Sequence, residues 1–203
     1  VDPFRYEVSS YFSKYPNNLF ILWVTYNTLK ISNHIGAILS LNPYHITVFF
    51  VVCMLSFLNT LTGFLTFKTV QDFTKNNVIS SIALMVYAVF IGTSFWILIP
   101  YTDSMGLIFP LLMFRIYLVY KNKNNKTNKT IFLNWLVIGF VFYFGFRSKP
   151  QSAVMFIAII IIELLNYIKN IKNYGVLLLK ISSCFISILV ASMIFNGLMV
   201  KSI

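Results

Sequence analysis

The sequence predicts an all-α fold, a polytopic transmembrane helical bundle of about six spans with an outer interfacial helix. Three observations predict it. Of the 203 residues 58% are hydrophobic and only 10% charged, against about 45–50% and about 25% in soluble domains. That leaves too little polar surface to cover a water-facing globule. Apolar runs near the roughly 20 residues that cross a bilayer recur along the chain, and lysines gather in short segments between them, the orientation signal of membrane proteins.

In chain order, residues 1–44 read as an outer amino-terminal segment and 45–203 as a transmembrane helical domain. The opening Val-Asp-Pro-Phe-Arg-Tyr lacks the basic start and apolar run of a signal peptide, and without an initiator Met it reads as part of a longer chain. Tyr15-Pro-Asn-Asn18 is a turn. The apolar stretch 19–31 is too short to span and is interrupted by Thr25, Asn27, Thr28 and Lys30. It is expected to lie in the interface, with Trp23 and Tyr26 at headgroup level. Six spans follow, at 46–67, 78–99, 105–120, 131–146, 150–168 and 176–200.

Charge tests this arrangement. The net charge is +11, yet the basic residues sit at span ends: Lys68 with Lys75, Lys121 through Lys129, and Lys169 with Lys172. Placing all three groups on the cytoplasmic side makes the six spans alternate without conflict. The pattern suits loops touching anionic lipid and argues against nucleic acid. The Lys/Asn segment 121–129 reads as a solvated connector. Residues 99–104 and the Arg147-Ser-Lys-Pro150 turn then share the outer face with the amino-terminal segment.

Only five acids are present. Asp103 lies in the polar island Ile99-Pro-Tyr-Thr-Asp-Ser104, stranded at a membrane boundary where a carboxylate is costly and asks for a function. Spacing alone leaves two readings open, catalysis or capping of a helix that starts near Met105. Glu163, within the fifth span, is expected to reach toward Lys169 or the lipid surface. Asp72 is expected to be solvated in a basic loop, and Asp2 and Glu7 belong to the outer segment. Lys149 and Arg147 precede Pro150 at an outward-facing helix start, the wrong sign for the helix dipole and for the positive-inside bias. A phosphate or a lipid headgroup would each rationalise them. Asn59, Thr60 and Thr62 suit helix–helix hydrogen bonding, and Cys53 and Cys184 suit buried small hydrophobes. His34 and His45 have no partner at ligand spacing, so neither a metal nor a cofactor is expected.

Three segments, taken in order, resemble bacterial GT-C glycosyltransferases of the branch related to protein mannosyltransferases and aminoarabinose transferases. They are Tyr11-Phe-Ser-Lys-Tyr-Pro-Asn-Asn18, Pro100-Tyr-Thr-Asp-Ser104 with Phe109-Pro110, and Ser148-Lys-Pro150 leading into Ile157-Ala-Ile-Ile160. The resemblance implies a multi-pass plasma-membrane enzyme of a bacterial cell envelope. Such an enzyme moves a hexose or pentose from a polyprenyl-phosphate donor to a glycan, protein or lipid acceptor outside the membrane. It implies Asp103 as a catalytic acid of the second outer loop, Lys149 with Arg147 as phosphate holders, and Tyr101, Tyr15 and Asn17 as further substrate-binding residues. The family usually carries its main catalytic acid after an earlier span, upstream of the Tyr-Pro-Asn-Asn segment. No such span precedes Tyr15 here, so the chain reads as a piece of such an enzyme or a degenerate relative. The competing expectation is a non-enzymatic membrane protein, a transporter part or accessory subunit binding lipid-linked intermediates. A transporter should show broken helices in matched halves and polar groups at mid-membrane. A polymerase or flippase should show long outer loops or a charged cavity.

Overall fold

The computed structural model describes residues 19–94, 97, 99, 102–124, 126–169 and 174–202, excluding the side chains of 169 and 199–202. Every regular element among them is helical, as lipid demands, because a helix satisfies its backbone polar groups within one segment. Large apolar side chains face outward in number, among them Val78, Ile82, Met85, Val89 and Phe90 on one helix and Val154, Ile157 and Ile161 on another. In water such a surface would aggregate, and in a bilayer it is the solvated face.

Helix α1 (Leu19–Ile38) runs seven residues beyond the predicted end and folds back along α2 (Pro43–Thr74). Its Thr28 hydroxyl donates to the Met54 sulfur at 3.1 Å, Ser32 and Thr47 share a 3.2 Å hydrogen bond, and Gly36 lies so near Ile46 that a Cβ would meet it at 2.9 Å. Asn42 caps α2, accepting from the Tyr44 N–H ahead of a first-turn Pro43. The helix stops at Lys75, whose left-handed φ of 56° ends the ladder. Asn76 then caps α3 (Asn77–Tyr87), which continues as a π-helical turn, Ala88–Gly92. This span ends seven residues before the predicted 99. Asn59 of α2 donates to the Gly92 carbonyl at 3.1 Å and accepts from the Tyr87 hydroxyl at 2.5 Å, holding the widened turn from outside. Thr60 and Thr62 instead bond carbonyls of their own helix.

The third predicted span is broken into α4 (Thr102–Gly106) and α5 (Ile108–Lys121). Pro110 cannot donate to the Gly106 carbonyl and its ring crowds that oxygen, which puts the break at Leu107. Helix α6 (Asn128–Ser148), α7 (Ser152–Lys169) and α8 (Tyr174–Ser202) match the last three predicted spans. Among the described residues, four helical stretches are long and apolar enough to cross a membrane, Pro43–Thr74, Thr102–Lys121, Asn128–Ser148 and Tyr174–Leu198, with shorter apolar helices at Asn77–Gly92 and Ser152–Ile168.

Helix α6 is the hub and packs on α1, α4, α5, α7 and α8. Its closest approach is to α8, where Ser183, Cys184, Ser187 and Ala191 form a buried small-residue stripe. A Cβ on Gly139 would stand 2.2 Å from Ser187 Oγ and 2.7 Å from the Cys184 carbonyl. Without a hydrophobic drive between helices in lipid, such close contact is what holds them together.

The packing gives the relative directions of the helices. Leu55 clusters with Met105 and Asp72 pairs with Arg115, so α2 and α5 run parallel. Tyr117 meets Glu163, so α7 runs parallel to them. The carboxy-terminal ends of α2, α5 and α7 therefore lie at one end, and the start of α4 and the α6–α7 turn at the other. Two expectations need correction. Asp72 is not in a solvated loop: α2 extends through it, and its carboxylate pairs with Arg115 at 3.4 Å. Cys53 is exposed while Cys184 is buried, and both are free thiols.

Candidate functional site

The candidate site begins with a proline. Pro150 disfavours helical backbone at the residue before it, and Lys149 accordingly leaves α6 with extended dihedrals, φ −154° and ψ 117°. Its N–H still bonds the Gly145 carbonyl at 2.8 Å, and its own carbonyl accepts from Ser152 N–H at 3.0 Å. The turned side chain crosses α4 at Gly106, where an added Cβ would lie 3.1 Å from Lys149 Cβ. A glycine is what lets the lysine stem pass. Beyond it the Lys149 ammonium forms an ion pair with the Asp103 carboxylate.

Asp103 is the second residue of α4, which starts at Thr102, so its carboxylate sits within the first turn and goes to Lys149. The Ser104 hydroxyl bonds back to the Ile99 carbonyl at 2.8 Å. The side chain of Asp103 is 57% exposed and that of Lys149 30%, so water or a ligand can reach the pair. Beside it lies a cavity of about 670 Å³ lined by Phe90, Ile91, Ser94, Ile97, Ile99, Asp103, Ser104 and Leu107. The walls are apolar and the polar groups stand at one edge. Phe90 is 75% exposed, so the cavity meets the lipid-facing surface of the short helix α3.

Of the residues expected here, the structure brings Asp103 and Lys149 together. It does not bring Arg147 to them: that guanidinium lies over the rings of Tyr143 at 5.6 Å and Phe195 at 5.9 Å. The Tyr143 hydroxyl is buried with no hydrogen-bond partner among the described residues. Tyr101, Tyr15 and Asn17, with Pro100, Asp2 and Glu7, lie outside the described residues.

Sequence reasoning missed a second polar cluster, at the lysine-rich end. Glu163 turns inward and not to the lipid surface, and the Lys169 side chain of the expected pairing lies outside the described residues. Glu163 forms an ion pair with Lys180 of α8 and accepts a 2.8 Å hydrogen bond from the Tyr117 hydroxyl of α5. Both charged side chains are nearly enclosed, 11% and 14% exposed. The Lys180 ammonium also lies 5.8 Å from the ring centres of both Tyr120 and Trp135. The available signal was that Glu163 is the one acid inside the predicted spans, where Arg115 and Lys180 are the two bases, and membrane proteins resolve such charges by pairing. Among the described residues, no group of three His, Cys, Asp or Glu side chains is placed to hold a metal ion.

A family model described as "conserved hypothetical integral membrane protein" matches residues 1–202. Comparison with the curated proteins finds no match, and comparison with the solved structures finds none.

Proposed function

We propose, from the premise that this chain belongs to the family of conserved hypothetical integral membrane proteins, that it is a GT-C-like glycosyltransferase or a part of one. It would move a sugar from a polyprenyl-phosphate donor to an acceptor outside the membrane. The observation that carries this reading is the solvent-reachable Asp103–Lys149 pair on the edge of an apolar cavity that meets lipid. A prenyl chain suits the walls formed by Phe90, Ile91, Ile97 and Leu107, and its phosphate suits Lys149. Phosphate arriving at the ammonium competes with the Asp103 carboxylate and releases it. The freed carboxylate removes the proton of an acceptor hydroxyl, whose oxygen attacks the anomeric carbon. As that bond forms, the bond from anomeric carbon to phosphate oxygen breaks, and the electron pair leaves on the lipid phosphate, held by the lysine. The product has inverted configuration. Arg147, spent on two aromatic rings, supports the turn and does not hold the phosphate directly.

A second reading has one specific observation behind it. Asp103 and Lys149 neutralise each other, as in a binding site that opens for a lipid-linked anion without performing chemistry.

The test uses proteoliposomes of the full natural chain with a panel of labelled polyprenyl-phosphate hexoses and pentoses and a bacterial envelope extract as the source of acceptors, reading sugar-dependent release of polyprenyl phosphate. Asp103→Asn is expected to slow release by roughly 10²–10⁴-fold, the usual worth of a positioned acid or base, and Lys149→Gln to raise the KM for donor. Binding of polyprenyl phosphate that depends on Lys149, with no turnover of any donor, would select the accessory-protein reading instead.

A further inference from the structure

The lysine-rich end carries a cleft that the outer-site proposal does not use. Helices α7 and α8 are consecutive, yet α8 packs mainly on α6, whereas α7 packs first on α5 and then on α6. Between them opens a cavity of about 510 Å³ lined by Tyr120, Lys121, Lys126, Ile131, Glu163, Asn166, Tyr167, Val176, Leu177 and Lys180. The Glu163–Lys180 pair bridges its floor. Three ammonium groups therefore face one carboxylate, and among the described residues neither Lys121 nor Lys126 is paired with an acid.

The connector is exposed, as expected, yet its lysines are drawn together. Lys126 folds back to donate to the Lys121 carbonyl at 3.0 Å and stands 5.1 Å from the Tyr120 ring centre. Lys121 stands 5.9 Å from the Tyr117 ring. Tyr120 is thus shared by Lys126 from the loop and Lys180 from the floor, which holds their charges toward one space. Like charges gathered this way repel, and an anion between them removes the conflict. The Asn166 and Tyr167 side chains supply neutral polar groups at the rim, while Ile131, Val176 and Leu177 supply an apolar wall.

We propose that this cleft is a phosphate-binding site, facing the leaflet that the positive-inside rule assigns to the cytoplasm, for the headgroup of an anionic phospholipid or a soluble phosphate. Basic pockets between membrane helices recognise lipid phosphates in this way. The inference is independent of the transferase reading, since it uses no residue of the outer site.

Lys180 is a poor probe, because removing it strands Glu163, so the test removes the two exposed lysines. Native mass spectrometry of the full chain would compare retention of phosphatidylglycerol with that of phosphatidylcholine. The proteins are the parent, Lys121→Gln with Lys126→Gln, and a control, Lys68→Gln with Lys75→Gln, which loses the same charge at the same end. The parent and the control are expected to prefer phosphatidylglycerol by roughly tenfold or more and the cleft variant to lose most of that preference. Equal losses in control and cleft variant, or an unchanged cleft variant, would overturn the site. Inorganic phosphate at millimolar concentration separates the sources. Displacement of the lipid supports a site that reads phosphate from solution, and its retention supports a lipid headgroup site.

Discussion

The two ends of the bundle each carry a lysine–carboxylate pair, and the pairs differ in everything except their chemistry. Asp103 and Lys149 meet at an outer edge, more than half and nearly one third exposed, on a five-residue helix and a proline turn. Glu163 and Lys180 meet between long helices, close to one tenth exposed, with Tyr117 fixing the second carboxylate oxygen. Water screens the first pair and can replace either partner, so the pair is exchangeable. The second has no substitute for either partner. An exchangeable pair suits a site where a ligand must enter, and a locked pair suits one that holds helices in register.

Several substitutions would break or sharpen that contrast. The largest effect on stability is expected from Glu163→Gln, which leaves Lys180 enclosed without a carboxylate and should cost about 3–5 kcal/mol. Thermal or denaturant unfolding in detergent checks this, and replacing both residues by Met should recover most of the loss. Gly139→Ala is expected to cost about 1–3 kcal/mol, because the new methyl must displace Ser187 and the Cys184 backbone. The same unfolding measurement checks it, and limited proteolysis should show α8 loosening from α6 as earlier cleavage between α7 and α8. Asp103→Asn is expected to change stability by less than about 1 kcal/mol, as exposed pairs do, while abolishing most sugar-dependent release. A loss of stability as large as that of Glu163→Gln would show that both pairs are structural. Smallest is Asp72→Asn, which removes the 3.4 Å contact with Arg115 and is expected to cost about 0.5 kcal/mol, shrinking further in high salt.

Much of the fold was legible in the residues because the bilayer allows few alternatives. Long apolar runs in lipid must be helices, so the all-α class and an approximate set of membrane segments followed from hydropathy and charge. The misses have local causes. The 78–99 run was expected to be one span, but the Asn59 amide reaches Gly92 and ends the helix in a π turn, which needs a partner helix to act. The break at Leu107 had a visible cause in Pro110. At the outer site, Asp103 and Lys149 stood out by their sign and place, and their pairing needed the Gly106 crossing, which is a relation between two helices. Glu163 was read against the nearest lysine along the chain, whereas its partner lies on α8, 17 residues away.

The residues alone were enough for the solvent of this protein, its helical class and an approximate set of membrane segments. Those follow from the cost of exposing peptide groups and charges to hydrocarbon, which each segment meets on its own. Only the tertiary structure decided which charge answers which. It set an open pair at one end and a sealed pair at the other, and it drew three lysines around one cleft. A charge in lipid must find a partner, but its identity depends on which helices touch and at what depth, and that is set by the fit of small residues such as Gly139 and Gly106 against their neighbours.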